Sequence, residues 1–379
     1  MVPTCLPDAT GATEADVDDG VAGTALADEL VAEGRRQGLA AVGITDTAVF
    51  TETRTTLLDR RSRGLHAGMQ FTYRNPDRST DPSRLLAGAR SLVVGAWNYR
   101  RTGAVPSAPS THPSGRVAAY ATRDHYASLR RALEPLADRL RGDGWRARVV
   151  IDDNGLVDRA AAHRAGLGWY GRNTLLLLPG AGSWCVLGSV VTDAPLTLPT
   201  GQPAPAEYAD GCGRCTRCLD ACPTGALVAP GELDASRCLA WLVQAPGSFP
   251  TEYRQALGDR MYGCDECQEV CPINRTADRR SAHPAPEPDT RAEVDLLGLL
   301  TASDDALLAA HGRWYIPGRH PRYLRRNALV ALGNVGNGTD PGTRRVLVRY
   351  LAGDDEMLAE HAAWAAERLG LRDLVDRAA

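Results

Sequence analysis

Eight of the ten cysteines lie between residues 212 and 271, and their spacing predicts iron–sulfur chemistry. The first group reads C-x2-C-x2-C-x3-C-P and runs from Cys212 to Pro223. A tight loop with this spacing lets three thiolates reach one [4Fe–4S] cube, while the fourth cysteine is turned towards a second cube. The pattern therefore predicts two clusters and an electron path between them.

A second group, from Cys264 to Pro272, reads C-x2-C-x3-C-P and lacks one ligand of the full run. The spare cysteine of the region is Cys238, which lies in a segment predicted to be helical, Leu233–Val243. Exchange of the last cysteine of each group between the two cubes completes both ligand sets. Cluster one is then predicted to be held by Cys212, Cys215, Cys218 and Cys271, and cluster two by Cys222, Cys238, Cys264 and Cys267.

Structural zinc is the alternative ligand for these cysteines. A zinc ion is usually bound by two C-x2-C pairs far apart in the sequence, whereas four of these cysteines fall within eleven residues and precede a proline. The spacing therefore favours iron–sulfur clusters. The two remaining cysteines are predicted to be inert, because Cys5 lies in the N-terminal tail and Cys185 in an apolar, strand-like run.

The chain before the cysteines is predicted to form a mixed domain of helices and strands. An amphipathic helix is expected from residue 26 onward. Apolar runs predict strands at Ala40–Ile44, Ser91–Ala96, Arg148–Ile151 and Ser183–Thr192, and helices are predicted at Tyr126–Leu140 and Leu156–Ala165. This interleaving favours an α/β or α+β layer domain. A G-x-G-x-x-G turn, Gly166–Gly171, follows a helix rather than a strand, so it is not predicted to bind a dinucleotide.

The chain after the cysteines is predicted to be helical. Helices at Leu296–Leu300, Tyr323–Leu332, Arg344–Leu351 and Met357–Leu369, with a turn at Gly333–Gly336, suggest a short α-solenoid of HEAT type. A group of arginines and aromatic residues in this region could grip a phosphate backbone, and a solvated helix face is an equal alternative. The group comprises Arg313, Trp314, Tyr315, the segment Arg319–Arg326, Arg344, Arg345 and Arg349.

The net charge of −3 hides an asymmetry along the chain. The first 34 residues carry eight acidic side chains and no basic one, which predicts a disordered acidic tail, while the rest of the chain stands at +5. No apolar run approaches the roughly 20 residues of a membrane span. The N-terminus also lacks the basic start and apolar core of a secretory signal. A cytoplasmic location without membrane contact is expected.

Taken together, these motifs resemble the epoxyqueuosine reductase family. The resemblance covers nearly the whole chain after the tail and depends on the order of several pieces. They are Arg78-Ser-Thr-Asp81-Pro82, Gly88-Ala-Arg-Ser91, the segment from Asp152 to Arg159, Arg164-Ala-Gly-Leu-Gly-Trp169, Tyr262-Gly-Cys-Asp-Glu-Cys267 and Arg326-Asn-Ala-Leu-Val-Ala-Leu332.

The resemblance implies a multidomain α+β protein. Its parts would be an α/β cobalamin-binding domain similar to that of reductive dehalogenases, a ferredoxin-like module with two [4Fe–4S] clusters, and a C-terminal HEAT-like α-solenoid. The expected boundaries are 1–25 for the acidic tail, 26–205 for the catalytic domain, 206–290 for the cluster module and 291–379 for the helical domain.

The implied activity is the conversion of epoxyqueuosine to queuosine at the wobble position of tRNA. Electrons would pass from the clusters to cobalamin, and two electrons and two protons would remove the epoxide oxygen as water. The implied partners are the modified tRNA and a flavodoxin or ferredoxin that donates electrons. The chain is expected to act as a monomer.

The family's proton donor corresponds to Asp152, fourteen residues before Gly166. A carboxyl group with its ordinary pKa would be ionised at neutral pH, so burial beside the corrin ring is needed to keep this one protonated. Asp153 is an alternative acid because the two residues are adjacent. Capping of the helix that follows is an alternative role for Asp152.

The resemblance also implies a set of cobalamin contacts. They come from Arg78, His125, Asp152, Arg172, Asn173 and Ala240. Arg172 departs from the lysine that much of the family has, and Ala240 departs from a small hydroxyl residue. No D-x-H-x-x-G cobalamin signature is present, and a surface position at a helix start is the alternative for His125.

Two other functions are left open by the sequence. A reductive dehalogenase-like enzyme would share the cofactors, but such proteins usually carry an export signal and use a catalytic tyrosine. An electron-transfer subunit without chemistry of its own would hold the clusters and bind no cobalamin.

Overall fold

The computed structural model describes residues 14–99, 112–203, 211–280 and 291–378. The first thirteen residues of the predicted tail, and the predicted boundary at 205/206, lie outside this part of the chain. The first helix, α1, spans Glu14–Arg36, so it begins earlier than predicted and takes in the second half of the predicted tail. The alanines of this segment have a high helix propensity and favour a helix.

The strands form one four-stranded sheet and three smaller sheets. They are β1 (Ala41–Asp46), β2 (Ser91–Asn98), β3 (Ser114–Val117), β4 (Ala147–Ile151), β5 (Trp169–Tyr170), β6 (Leu176–Leu177), β7 (Cys185–Thr192), β8 (Leu227–Ala229), β9 (Glu232–Leu233), β10 (Arg260–Tyr262) and β11 (Glu293–Asp295).

Sixteen α-helices lie in the described part of the chain. After α1 they are α2 (Thr51–Ser62), α3 (Pro76–Ser79), α4 (His125–Gly142), α5 (Asp158–Arg164), α6 (Arg217–Asp220), α7 (Leu239–Leu242), α8 (Thr251–Leu257), α9 (Glu266–Glu269), α10 (Pro272–Arg280), α11 (Leu296–Thr301), α12 (Asp304–His311), α13 (Arg322–Val335), α14 (Pro341–Leu351), α15 (Glu356–Arg368) and α16 (Arg372–Ala378).

The main sheet has the order β1-β2-β7-β4 and is antiparallel throughout. Its central strands β2 and β7 are buried on both faces: Val93 packs with the leucines of α4, while Leu92 and Val94 pack with the alanines of α5. Alternating helices and strands are typical of parallel α/β sheets, so the order of the elements in the sequence did not predict an antiparallel sheet. The connections between the strands are long enough to return the chain in either direction.

A three-stranded sheet joins the three regions of the chain. Strand β3, from the first region, pairs in parallel with β10 of the cysteine region and antiparallel with β11, which precedes the C-terminal helices. The loop after β3 is held on both sides, because Asp265 accepts a hydrogen bond from the Ala119 amide at 2.7 Å and Trp314 donates one to the Ala121 carbonyl at 3.0 Å. This loop leads into α4.

Among the described residues, no helix combines the length and the apolar character that crossing a bilayer requires.

The C-terminal helices pack in sequence, and one of them runs through a predicted turn. Helix α13 continues to Val335, so the prediction of a turn at Gly333–Gly336 was wrong. A Cβ at Gly333 would lie 2.7 Å from the ring of Trp364 and 2.9 Å from the Cα of Ala365. Gly333 therefore permits close packing of α13 on α15 rather than ending the helix.

The guanidinium group of Arg326 connects α13 to the cysteine region. Arg326 is fully buried and donates hydrogen bonds to the carbonyls of Leu242, Ala245 and Gly247 at 2.6–2.9 Å. These carbonyls lie at and beyond the end of α7, where a helix leaves carbonyls without partners. Burial, with a further contribution from the charge of Arg254, lowers the pKa of Arg326 to about 10.

Replacement of this arginine is expected to destabilise the protein strongly. Arg326→Met should lower the free energy of unfolding by about 3–5 kcal/mol, because several buried carbonyls lose their donors at about 1–3 kcal/mol each. The measurement is the melting temperature of the cluster-loaded protein under anaerobic conditions. Arg345→Met, which removes an exposed arginine, is the matched control. Equal melting temperatures for the two variants would contradict the assigned role.

Candidate functional site

The cysteine region contains two copies of one local structure. Helices α6 and α9 are each four residues long, pack against one another, and carry a cysteine at their second position, Cys218 and Cys267. A further cysteine follows two residues after each helix ends, Cys222 and Cys271. A four-residue helix turns the chain once, so the cysteine after it leaves the loop that carries the preceding ones.

The electrostatic effects between the thiols indicate two groups of cysteines, which approach one another at Cys218 and Cys267. Burial raises the pKa of Cys218, and the charges of Cys212, Cys215 and Cys271 raise it further. Burial also raises the pKa of Cys267, and the charges of Cys264, Cys238 and Cys218 raise it further. Burial raises the pKa of Cys238, and the charge of Cys222 raises it further. The structure thus brings Cys271 to the first group and Cys222 to the second. Within the described ranges, no three His, Cys, Asp or Glu side chains could together hold a single metal ion.

Backbone amides are directed at the cysteine sulfurs. The amide of Ala226 donates to Cys222 Sγ at 3.2 Å. Burial alone would raise the pKa of Cys222, but hydrogen bonds from the amides of Leu227, Thr224 and Ala226 lower it below its usual value. Such donors favour the thiolate, which is the form that binds iron. The cysteine environment therefore fits iron–sulfur clusters.

Cys238 lies at a break in the predicted helix Leu233–Val243. A 3-10 turn, Ala235–Arg237, precedes it and α7 follows it, while Cys238 itself is extended with φ −76° and ψ 117°. The Trp241 amide at the start of α7 donates to the Cys238 carbonyl at 2.9 Å. Burial raises the pKa of the Cys238 thiol, and the nearby amides of Trp241 and Ala240 partly offset this effect. Ala240 lies within α7, and its contact with cobalamin stays a prediction.

Asp152 lies directly after β4, on the turn that leads to α5. It is a non-glycine residue with a positive φ of 50°. Helix α5 begins at Asp158 rather than at Leu156, and its N-cap residue, Val157, provides no side-chain cap. The capping role considered for Asp152 was therefore wrong, because the N-cap position belongs to Val157, further along the chain.

The two adjacent aspartates differ in what they contact. Asp153 Oδ1 accepts a hydrogen bond from the Gly155 amide at 2.7 Å, and Asp153 Oδ2 lies 3.4 Å from Arg148 Nη2. The Asp152 carboxyl has no hydrogen bond to any described residue. It is accessible to solvent, yet the surrounding protein atoms raise its pKa, and the charge of Asp153 raises it further. Asp152 is the free carboxyl group of the pair.

Asp158 is a further acidic residue at this turn that the sequence did not single out. Its Oδ1 is buried and has no hydrogen-bond partner within the described part of the chain. Burial, followed by the charge of Asp152, raises the pKa of Asp158 well above its usual range. An aspartate at a helix start usually interacts with the helix dipole, so its type and position gave no signal for this environment.

Three other predicted site residues lie around the turn and the cysteine loops. Arg78 Nε is 3.9 Å from the position of a Cβ on Gly155, so Arg78 lies beside the Asp152 turn. Arg172 donates to the carbonyl of Gly213 in the first cysteine loop, and Asn173 donates to the carbonyl of Cys267 at 3.4 Å. Arg172 and Asn173 therefore connect the glycine turn to both cysteine groups.

The remaining predicted contacts are more deeply placed. His125 is buried, so the alternative of a surface histidine was wrong; its Nε2 has no partner among the described residues. Burial, followed by the charge of Arg123, lowers the pKa of His125 to about 4, so the ring is neutral. Cys185 is partly buried, and desolvation raises its pKa to about 12, which agrees with an inert role.

The C-terminal arginines divide into paired and free groups. Arg326 is buried, while Arg322, Arg325 and Arg344 form ion pairs with Asp355, Asp304 and Asp373. Trp314 is buried and stacks on Tyr262 at 4.5 Å, so it is not available to a nucleic acid. Within the described chain, Arg345 and Arg349 are exposed and have no acidic partner, and Tyr315 is 58% exposed. Arg313 is exposed as well and donates to the carbonyls of Ala121 and Arg123. The predicted phosphate-binding group is therefore reduced to Arg313, Tyr315, Arg319, Arg345 and Arg349.

Comparison with known proteins gives two family matches and a set of close relatives. Residues 211–274 match a "4Fe-4S double cluster binding domain", and residues 79–153 match "Epoxyqueuosine reductase QueG, DUF1730". The chain is 36% identical to the epoxyqueuosine reductase of Xanthomonas campestris pv. campestris over 325 residues, which is 82% of this chain and 87% of that protein.

Two solved structures are similar over 94% of both chains, at 30% identity. One, with a TM-score of 0.80, is an epoxyqueuosine reductase with an epoxyqueuosine-modified tRNA-Tyr stem loop. The other, with a TM-score of 0.79, is the Bacillus subtilis enzyme with its catalytic aspartate loop swung out of the active site.

Proposed function

This chain belongs to the epoxyqueuosine reductase family, and we propose that it reduces epoxyqueuosine to queuosine in tRNA. The observation that carries the proposal is a free carboxyl group with a raised pKa, Asp152, in a protein that also holds a double [4Fe–4S] cluster domain. Removal of an epoxide oxygen as water consumes both electrons and protons. The clusters would supply the electrons, and Asp152 would supply a proton.

The side chains near Asp152 fit cobalamin, the cofactor that the family resemblance implies. Arg78 lies beside the turn, and the charge of Arg159 acts on the nearby ring of Tyr170, which is 43% exposed. An exposed aromatic ring and two guanidinium groups suit a flat apolar macrocycle with amide groups around its rim. When bound, cobalamin would supply the low-potential electron chemistry that breaks the carbon–oxygen bond.

Asp152 would act as the general acid: its carboxyl group holds a proton and donates it to the epoxide oxygen of the substrate as the carbon–oxygen bond breaks. The surrounding protein atoms disfavour the charged form, and the neighbouring Asp153 carboxylate disfavours it further, so the carboxyl remains protonated at a higher pH than a fully solvated aspartate does. General acids of this kind contribute about 10²–10⁴ in rate. Asp153 keeps the turn in place through Gly155 and Arg148 and is not the donor.

The C-terminal helices would bind the tRNA as a short HEAT-like array. The free cations Arg345 and Arg349 and the exposed ring of Tyr315 suit a phosphate backbone and its sugars. We further propose the domain boundaries given by the sequence, a monomeric enzyme, and a flavodoxin or ferredoxin as the electron donor.

The deciding experiment is anaerobic reconstitution with iron, sulfide and cobalamin, followed by assay on epoxyqueuosine-containing tRNA with a strong reductant. Cobalamin-dependent formation of queuosine is the expected result. Cobalamin binding without conversion would indicate a different reductive substrate. Failure to bind cobalamin would favour an electron-transfer subunit.

Asp153→Asn is expected to move the pH profile of the reaction without abolishing it. Loss of the Asp153 charge lowers the pKa of Asp152, so the fraction of protonated Asp152, and with it the rate, should decline at lower pH than in the wild type. The measurement is the single-turnover rate against pH. Asp138→Asn, which also loses an exposed aspartate–arginine pair, is the control and should leave the profile unchanged. An inactive Asp153→Asn variant would instead make Asp153 the acid.

A further inference from the structure

The two copies of the cysteine structure differ in what covers them. In the second copy, a Cβ at Gly263, the residue before Cys264, would lie 2.4 Å from the Cβ of Ala118. The loop after β3 therefore packs directly on this copy. Asp265 and Gln268, which flank the next cysteine, are buried as well. The second copy is thus covered by the rest of the protein.

The first copy presents arginines to solvent instead. Arg214 precedes Cys215, in the place that Gly263 has in the second copy. Arg217 begins α6, in the place that Glu266 has at the start of α9. Both arginines are exposed, and the side chain of neither has a hydrogen bond or an ion pair with another described residue. Their charges are therefore free to interact with a partner.

The acidic residues of the two short helices are engaged elsewhere. Asp220, at the end of α6, accepts a hydrogen bond from the Thr216 hydroxyl at 2.9 Å. On α9, Glu266 Oε1 lies 3.5 Å from Arg116 Nη2, and Glu269 Oε1 lies 3.8 Å from Arg116 Nη1. These two carboxylates are thus paired with β3, and no ion pair with them neutralises the arginines of the first copy.

Two further side chains extend this exposed surface. Arg275 of α10 is exposed, and its Nε donates to the carbonyl of Glu269 at 2.9 Å, which places it beside the helix that packs on α6. Val228 of β8, a strand that also packs on α6, is 42% exposed. Arginine is enriched at protein–protein interfaces, whose centres are apolar. Arg214, Arg217, Arg275 and Val228 are called the arginine surface below.

We propose that the arginine surface is where the protein receives electrons, and that its partner is an acidic electron-carrier protein. Arg214 and Arg217 each come directly before a predicted ligand of cluster one, so a partner that contacts them lies close to that cluster. In the transfer, one electron leaves the carrier and reduces the cluster by one unit of charge, and no bond is made or broken.

The weak affinity that an electron carrier needs agrees with this surface. Electron-transfer complexes have small interfaces, and complementary charge speeds the encounter of the two proteins more than it strengthens the complex. Nucleic acid is the other class of molecule that binds arginines. The position of these arginines next to cluster ligands favours the carrier, because an electron donor must approach a cluster closely and the second copy is covered.

Charge reversal at two positions tests the arginine surface. The double variant Arg214→Glu, Arg217→Glu should bind an oxidised flavodoxin with an acidic face around its flavin roughly 10–100-fold more weakly than the wild type does, because attraction between opposite charges changes association rates by about 10–10³. The measurement is calorimetric titration of the cluster-loaded protein at low ionic strength, without tRNA. High salt should remove most of the difference, because it screens exposed charges.

Three controls separate this effect from damage to the protein. Arg35→Glu reverses an exposed arginine of α1 and should leave the affinity for flavodoxin unchanged. The double variant Arg214→Lys, Arg217→Lys keeps both charges and should bind as the wild type does. Reduced methyl viologen, a small cation, should reduce the clusters of the glutamate variant at least as fast as those of the wild type. Iron should remain at about eight per chain in all variants.

Weaker flavodoxin binding by the glutamate variant alone supports the proposal. Equal affinity of the glutamate variant and Arg35→Glu would overturn it, as would a wild-type protein that does not bind the flavodoxin. A higher KM for tRNA with unchanged flavodoxin binding would assign the surface to RNA instead. Loss of iron in the lysine variant would show that the arginines hold the cysteine loop.

This inference rests on the proposed function for the destination of the electrons, but binding of the carrier is measured without tRNA or cobalamin. A wild-type protein that binds flavodoxin through these arginines and forms no queuosine would count against the proposed function and leave the arginine surface in place. A protein that forms queuosine with a chemical reductant, and whose flavodoxin binding ignores charge reversal, would do the opposite.

Discussion

Asp152→Asn is expected to reduce the rate of queuosine formation by about 10³-fold, because a general acid contributes about 10²–10⁴ to the rate. The amide has nearly the shape of the carboxyl group but carries no acidic proton. Because the Asp152 carboxyl has no hydrogen bond to any described residue, its replacement breaks no contact that holds the fold. Cluster content, cobalamin binding and KM for tRNA should therefore remain those of the wild type.

The choice of asparagine matters because of the backbone. Asp152 has a φ of 50°, a conformation that asparagine adopts more readily than alanine does. Asp152→Ala would thus combine the loss of the proton with a change in the turn, and it could not distinguish the two effects. Single-turnover assays over a range of pH are the measurement. Retention of more than about a tenth of the wild-type rate by Asp152→Asn would show that the proton comes from elsewhere.

The fold was predicted well wherever it depends on local apolar patterning. The predicted strands Ser91–Ala96 and Arg148–Ile151 differ from β2 and β4 by two residues or fewer at each end. Each contains a short apolar run, Leu92–Val94 and Val149–Ile151, which is typical of a strand. The predicted helix Tyr126–Leu140 lies within α4, where leucines recur on one face. Cysteine spacing in the same way indicated a double cluster domain, which the family match confirms.

The errors arose where contacts distant in sequence override local preference. The helix predicted from Leu156 begins at Asp158, because the Val157 amide donates to the Ser79 carbonyl instead of joining the helix. The Asp153 side chain accepts from the Gly155 amide and pairs with Arg148. The chain between β4 and α5 is thereby held as a turn that places Asp152. No local pattern could reveal these partners. Asp158 was missed for the same reason, since its environment depends on how α5 packs against β7 and β2.

The crossed arrangement of the cysteines predicts an unusual grouping of variants. Cys271→Ala should resemble Cys215→Ala rather than Cys264→Ala, although Cys271 belongs to the second sequence group. In the structure the charge of Cys271 acts on Cys218, as do the charges of Cys212 and Cys215. By the same reasoning, Cys222→Ala should resemble Cys238→Ala, because Cys222 acts on Cys238. Each variant is expected to impair one cube and leave the other bound.

The measurement is iron content together with the electron paramagnetic resonance spectrum of the reduced protein. Iron should fall from about eight per chain towards about four, and the spectrum of the surviving cluster should be the same within each pair of variants and different between pairs. Cys185→Ala is the control, because the burial that raises the pKa of this thiol keeps it from binding iron. Spectra that instead group Cys271→Ala with Cys264→Ala would show that each sequence group holds its own cube. In that case the short helices α6 and α9 would not turn their last cysteine towards the other cluster, and the two cubes would lack the shared ligand loops that place them side by side for electron transfer.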